Sequence, residues 1–236
     1  MIRLIKNEFK KVKKSKLFFS QILLVISLIL INKYSKQNIL KLSFNLIPFI
    51  GVFLCIFYGG TISGEIENGS FRFYLTKPFK RWKILLSKYL CMFIYVIVTI
   101  IIIILCSLII NNKIDYNYLI NFMKHCFPLF FMISFVIYLS CKFKNQSVCV
   151  GLSILILAFS LIISQLFFGF NINIVEYTFL PYLDFSIFDD PLVLNKMNND
   201  LNINLSMNKG IIIDTIYMIL FYILANRKFI KKDIKN

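Results

Sequence analysis

The feature that most constrains this chain is an apolar run from Ile84 to Ile110, in which Lys88 is the only charged side chain. A helix needs about 20 mostly apolar residues to cross the hydrocarbon core of a bilayer, so this run can span a membrane. The chain as a whole is 58% hydrophobic and 16% charged, with 26 Phe among 236 residues. A soluble domain of this size cannot bury so much apolar surface, which excludes a soluble globular protein.

Further apolar stretches are long enough, or nearly so, to span the bilayer as well. The sequence therefore predicts an all-α membrane protein with six transmembrane helices and a single transmembrane domain over residues 1–236. The first stretch lacks a small-residue cleavage site and is expected to be retained as a span. The predicted spans are Leu17–Ile31, Leu42–Ser63, Ile84–Ile110, Phe122–Cys141, Val148–Phe168 and Gly210–Ala225.

Basic residues set the expected orientation. The net charge of +16 comes from Lys and Arg at the ends of apolar stretches, so anionic lipid explains it better than nucleic acid. These residues concentrate before the first span, in the 64–83 segment and in the tail. The positive-inside rule then places both termini and residues 64–83 in the cytoplasm. Heavy use of Ile, Asn and Lys is typical of an AT-rich genome, and we expect a multi-pass protein of a bacterial plasma membrane.

Residues 1–16 have the pattern of an amphipathic helix lying in the inner membrane interface. Apolar residues recur at the spacing of one helical face, and basic residues occupy the rest of the helix. The alternative is a basic topology signal with accidental periodicity. The membrane-interface residues predicted here are Ile2, Ile5, Phe9 and Val12, with Lys10 and Lys13 among the bases.

The loop over residues 169–209 is the largest segment between spans and is predicted to lie outside. Its apolar clusters, broken by Pro181 and Pro191, predict short helices followed by an Asn-rich connector. Its acids could attract a cationic substrate, although a solvated connecting loop is the alternative. Asp214, one turn inside the last span, could line a polar cavity or simply reach the surface. The residues of this possible substrate path are Asp184, Asp189, Asp190 and Asp214.

The sequence contains no motif typical of catalysis, metal binding or nucleotide binding. His125 is the single histidine, and the six cysteines form no CxxC pair, so they are expected to be reduced packing residues. Gly59 and Gly64 have the spacing of a phosphate-binding loop, but Glu65 occupies the position of the essential Lys. We expect no enzyme activity, metal or cofactor in this chain.

The most polar stretch between spans is "GEIENGSFRFYLTKPFKR", Gly64 to Arg81. Ser70 can cap a helix start, and Pro78 can end that helix and open the next. A short cytoplasmic helix displaying aromatic residues would suit docking to a soluble partner. The alternative is a basic loop that only obeys the topology rule.

The extended run "GEIENGSFRFYLTKPFKRWKILLSKYL" resembles the cytoplasmic segment of permease subunits in the type-two ABC transporter family. The amphipathic start, six spans and outer loop resemble that family over essentially the whole chain, and small loops resemble its bacitracin- and lantibiotic-resistance permeases. The resemblance implies a coupling helix that contacts a separate ATPase. Phe71-Arg72 departs from the pattern, because an acid often follows Ser70. The implied coupling residues are Glu65, Gly69, Ser70, Leu75, Pro78 and Arg81, followed by Lys88 in the third span. Phe73 is added to this set because it could fill an apolar slot on the partner together with Leu75.

The expected function is therefore the permease subunit of an ATP-driven exporter of an amphipathic substrate such as a peptide antibiotic. The implied partners are ABC ATPase subunits, which carry ATP and Mg, and a second permease subunit. Two alternatives stay open: a non-transporting scaffold or sensor subunit that recruits an ATPase, and a gradient-driven transporter.

Overall fold

A computed structural model describes most of the chain, and the described residues contain helices and connections but no strand. Most of the predicted first span lies outside them, as do Phe73, Leu75, Pro78, Asp189 and Asp190. The described residues are 2–14, 23, 26–27, 44, 46–70, 80–111, 116–170, 172–185, 188, 191–201 and 203–231.

Nine α-helices and two short 3₁₀ helices are described, and the α-helices are numbered here in chain order. They are α1 Ile2–Lys14, α2 Ile47–Tyr58, α3 Ser63–Glu67, α4 Arg81–Asn111, α5 Tyr116–His125, α6 Phe127–Lys142, α7 Gln146–Gly169, α8 Pro191–Leu201 and α9 Met207–Lys231. The 3₁₀ helices are Asn173–Tyr177 and Leu180–Tyr182.

Within the described residues, five helical segments have the length and apolar composition of membrane spans. They correspond to the second through sixth predicted spans, so the prediction of an all-α, multi-pass membrane protein is confirmed. The last three spans extend beyond the predicted limits at both ends, because polar residues continue the helices past the apolar core. They are Ile47–Glu67, Arg81–Ser107, Tyr116–Lys142, Gln146–Gly169 and Met207–Lys231.

Helix α6 is the centre of the bundle. Residues 131–137 are all buried, because α2, α4, α7 and α9 surround the helix. Aromatic rings fill the contact with α9, including Phe131 and Phe135 against Phe221. Helices α7 and α9 leave most of their apolar side chains exposed or half-buried on the outside of the bundle, as lipid-facing helices do.

The helix of the second span is interrupted between α2 and α3, and a side chain of α6 satisfies the backbone groups that this interruption frees. Four residues, 59–62, form turns instead of helix. The freed N–H groups of Ile62 and Ser63 donate to the Ser140 hydroxyl oxygen at 2.9 and 3.0 Å. Lipid offers no hydrogen bonds, so non-helical backbone at this depth must be satisfied by neighbouring protein.

The two ends of the bundle differ in chemistry. The basic end carries α1, the 59–70 segment and exposed basic residues such as Lys10, Lys80 and Lys142. At the opposite end, the capped end, the two 3₁₀ helices cover the bundle. Tyr182 and Phe185 there pack on Phe168 and Ile213 in a buried apolar cluster. The predicted short helices are thus present, and α8 occupies part of the expected Asn-rich connector.

The Ser140 contact yields a stability prediction. Ser140→Ala should lower the free energy of unfolding by about 1–3 kcal/mol, because it leaves two buried N–H donors without an acceptor. Unfolding in mixed detergent–SDS micelles measures this change.

Ser164→Ala is the matched control. Ser164 is also buried in a span, but its hydroxyl donates only to the Leu161 carbonyl in its own helix, at 2.8 Å. Removing that hydroxyl leaves no N–H unpaired, so the change should stay within about 0.5 kcal/mol. Equal effects of the two substitutions would contradict the role assigned to Ser140.

Candidate functional site

Lys88 is the most unusual residue of the membrane bundle, because its ammonium group is buried between two carboxylates. Its side chain is 1% exposed. The Nζ atom donates to Glu65 Oε1 at 2.8 Å and to Glu8 Oε2 at 3.3 Å. An isolated charge at this depth would be strongly unfavourable, and the two opposite charges compensate it.

Three separate elements contribute Glu8, Glu65 and Lys88, which we call the triad. Glu65 lies in the first turn of α3, directly after the break in the second span. Lys88 lies two turns into α4. Glu8 comes from α1, where it shares a face with Leu4; both are buried, so this face of α1 packs against α4. The α1 helix is therefore attached to the bundle by protein contacts as well as by any contact with lipid.

A cavity of about 500 Å³ opens beside the triad at the basic end. Glu8, Glu65 and Lys88 line it together with Tyr58 from α2. Tyr58 is 3% exposed, and its phenolic oxygen has no hydrogen-bond partner among the described residues. We call this space the triad cavity.

The turn between α6 and α7 packs against the same segment through Gln146. A Cβ on Gly60 would lie 2.2 Å from Gln146 Cγ, and one on Gly64 would lie 2.5 Å from Gln146 Oε1. A side chain at either position would force the Gln146 side chain to move. The Gln146 N–H also donates to Glu67 Oε2 at 3.1 Å. The α6–α7 turn and the 60–68 segment thus form one surface.

The structure brings four of the predicted coupling residues to this end of the bundle. Gly69 adopts a positive φ of 68°, which favours glycine. The Ser70 hydroxyl donates to the Glu65 carbonyl at 3.3 Å, and the helix it was predicted to cap lies outside the described residues. Arg81 Nη1 donates to the Ile230 carbonyl at 2.8 Å, which ties the start of α4 to the last turn of α9.

The predicted interfacial residues of α1 are described in part. Ile5 and Phe9 are half-buried and Lys10 is exposed, consistent with an apolar and a basic face. The side chains of Ile2, Val12 and Lys13 lie outside the described residues, although the α1 backbone includes them.

Of the predicted acids at the capped end, Asp184 and Asp214 are among the described residues, and they do not line the same cavity. Asp184 is half-buried at the edge of a cavity of about 200 Å³ between α2 and α7. Asp214 is 1% exposed, and both of its carboxylate oxygens lack a hydrogen-bond partner among the described residues.

A second ion pair, which was not predicted from the sequence, anchors the two 3₁₀ helices (the cap) to α9. Lys209 pairs with Glu176 and lies 4.4 Å from the centre of the Tyr177 ring. The Tyr182 hydroxyl donates to the Glu176 carbonyl at 3.1 Å. Burial, followed by the nearby Glu176 and Asp214 carboxylates, raises the pKa of Tyr182, which widens the alkaline pH range over which the phenol can donate.

The described residues hold no group of three His, Cys, Asp or Glu side chains that could bind a metal ion. His125 Nδ1 lies 2.8 Å from the Asn121 carbonyl oxygen, one turn back in α5. The six cysteines are free thiols, and five of them are buried.

Glu8, Tyr58 and Gln146 are site residues that sequence reasoning did not single out. Glu8 had a detectable signal, because it is the only acid in an otherwise basic amino-terminal segment. Glu8 follows Leu4 by four residues, so the two side chains share a third face of the helix, between the apolar and basic faces. Tyr58 and Gln146 carry no comparable signal, because their roles depend on packing between distant elements.

The triad predicts a large effect of removing its central charge. Lys88→Met should lower the free energy of unfolding by about 3–5 kcal/mol, because it removes the positive charge that lies between two buried carboxylates. Unfolding in mixed micelles measures the loss. Lys83→Met, on the same helix but half-buried beside Trp82, is the control and should change stability by less than about 1 kcal/mol. A similarly small loss for Lys88→Met would show that the triad does not stabilise the bundle.

Comparison with known proteins places the chain in a family without assigning its activity. A family model described as a protein of unknown function (DUF2705) matches residues 14–235, which is nearly the whole chain. The search of curated proteins returned no match. The chain therefore belongs to the DUF2705 family.

Proposed function

We propose that this protein is the permease subunit of an ATP-driven exporter and that residues 64–81 are its contact with a separate ATPase. The observation that carries the proposal is that this segment is attached to the membrane bundle at both of its ends. Glu65 binds Lys88 at the start, and Arg81 binds the Ile230 carbonyl at the end.

Attachment at both ends is what a coupling contact requires. A loop that moved independently of the spans could bind a partner but could not transmit force to them. Here a displacement of the segment acts directly on α4 through Lys88 and on α9 through Arg81. Through Glu8 it also acts on α1. The remaining coupling residues in the proposal are Gly69, Ser70, Phe73, Leu75 and Pro78.

The proposal includes an orientation and an assembly. Six spans place both termini and the basic end in the cytoplasm, where the ATPase would bind. The active unit would be a dimer of permease subunits, alike or different, with two ATPase subunits that carry ATP and Mg. Hydrolysis would belong to those subunits, not to this chain.

The substrate in this proposal is an amphipathic molecule, such as a cationic peptide antibiotic, that leaves from the outer side. The small cavity at the capped end supports this class of substrate. Its walls include the apolar side chains of Phe49, Val52 and Leu161, and Asp184 lies at its edge. Apolar contact and a nearby carboxylate together suit a cationic amphipath. Asp189 and Asp190 would add negative charge to the same loop.

Asp214 is the observation that favours a second candidate, a gradient-driven transporter. A buried acid in a span, with no partner among the described residues, is a common feature of ion-coupled transport. Reconstitution separates the two functions. Substrate movement that needs ATP and an added ATPase supports the exporter, whereas movement driven by an ion gradient in the chain alone supports the second candidate.

The orientation can be tested by labelling single cysteines in a background without the native ones. Lys144 and Asn199 are both exposed and lie at opposite ends of the bundle. In intact cells, Asn199→Cys should react with an impermeant thiol reagent, and Lys144→Cys should react only after lysis. The reverse pattern would place the basic end outside and remove the coupling segment from the cytoplasm.

Coupling can be tested with Leu75→Ala and Phe73→Ala. If these side chains anchor the partner, each substitution should reduce ATPase co-purification roughly tenfold or more, since interface anchors contribute about 2 kcal/mol. Transport should fall in parallel, while the amount of membrane-inserted protein stays unchanged. Phe159→Ala is the matched control, because Phe159 is exposed on the lipid-facing side of α7.

Each outcome of the coupling experiment has a distinct meaning. Retained ATPase binding and transport in both variants would make residues 64–81 an ordinary basic loop and would overturn the proposal. ATPase binding without ATP-dependent transport in the unaltered protein would instead identify a scaffold or sensor subunit.

A further inference from the structure

We propose that the segment directly after α7 is a membrane anchor, and that Phe170, Ile174 and Tyr177 insert it among the lipid headgroups at the capped end. The anchor segment comprises residues 170 and 172–177. Its three anchoring side chains are 74%, 72% and 62% exposed, in chain order. Large apolar side chains that are exposed together mark a contact surface, whereas single ones do not. The inference concerns this chain and its bilayer, and it does not depend on an ATPase.

The lipid-facing side of α7 leads directly into the anchor segment. Exposed apolar residues of α7 recur at steps of three and four, so they lie on one helical face. Phe170 continues the series, and its N–H donates to the Leu166 carbonyl at 3.2 Å, which extends the helical hydrogen bonding to this residue. Lipid that covers this face of α7 therefore also reaches the anchor segment. The series is Leu155, Phe159, Ile162, Leu166 and Phe170.

The first 3₁₀ helix, Asn173–Tyr177, exposes its apolar side chains and buries its acid. Residues three apart eclipse each other on a 3₁₀ helix, so Ile174 and Tyr177 share one face. Both are exposed, whereas Glu176 is buried and pairs with Lys209. A helix whose outer side faced water would reverse this arrangement, with the acid outside and the isoleucine inside. An apolar outer side is what a helix at the lipid interface requires.

The length of α7 places the anchor segment at the edge of the bilayer. This helix has 24 residues, and a helix of that size is about 36 Å long. The hydrocarbon core is about 30 Å thick, and the bilayer with its headgroups is about 40–45 Å thick. A helix that crosses the core thus ends among the headgroups, where tyrosine is enriched. At this depth the Tyr177 ring can contact acyl carbons while its hydroxyl stays among polar groups.

Tryptophan fluorescence in lipid nanodiscs tests the position of the anchor segment. Trp82 is the only tryptophan of the chain, so Trp82→Phe provides a background without signal. In that background, Ile174→Trp should lose fluorescence to phosphatidylcholine that is brominated high on its acyl chains, close to the headgroup. Lipid brominated near the chain ends should quench it less. Tyr177→Trp should show the same order of quenching, because it lies on the same face.

Two reference positions serve as controls in the same background. Phe159→Trp, on the same face in the middle of α7, should be quenched more by lipid brominated near the chain ends. Asn199→Trp, at an exposed position of α8 at the same end of the bundle, should be quenched by neither lipid and should emit at long wavelength.

Two results would contradict the membrane anchor. If Ile174→Trp and Tyr177→Trp both behave like Asn199→Trp, the segment lies in water and the proposal is overturned. If both emit at short wavelength but neither lipid quenches them, a protein such as a second copy of the chain covers the segment, which overturns the proposal as well.

Discussion

Lipid cannot donate or accept hydrogen bonds, and this constraint accounts for the main polar contacts of the bundle. Where the second span leaves the helical path, Ser140 accepts the two freed N–H groups. Where α4 carries a charge into the bundle, Glu8 and Glu65 neutralise it. The serines of α7 instead donate to carbonyls in their own helix. The positions of α3, α1 and α6 relative to one another follow from these few contacts.

The same contacts concentrate at the basic end, which gives that end a defined shape. The triad joins α1, α3 and α4, Gln146 brings in the α6–α7 turn, and Arg81 adds the end of α9. Five elements thus meet where the proposed coupling segment begins and ends. Binding of the proposed ATPase at this end would act on all of them, because buried charges join α1, α3 and α4 and hydrogen bonds attach the α6–α7 turn and the end of α9.

Patterns that repeat along the chain predicted much of the fold. Apolar runs marked the second through sixth spans, and the spacing of Ile5 and Phe9 predicted the α1 helix. The motif identified Glu65 and Lys88 as separate residues but did not predict that they contact each other. That contact depends on the break in the second span after Tyr58, which lies between α2 and α3. Glu8 and Ser140 could not be paired from sequence at all. Each meets residues far along the chain, and no local periodicity encodes such contacts.

Helix α9 is held at both ends, and this has a mechanical consequence. Ile230, near its last turn, is bound by Arg81 at the basic end. Near its first turn, Gly210 lies so close to the cap that a Cβ there would be 2.6 Å from Tyr182 Cδ1. A helix of 25 residues is about 37 Å long. A single helix therefore links the two surfaces of the protein, so a tilt imposed at one surface would displace the other through the rings that pack α9 against α6.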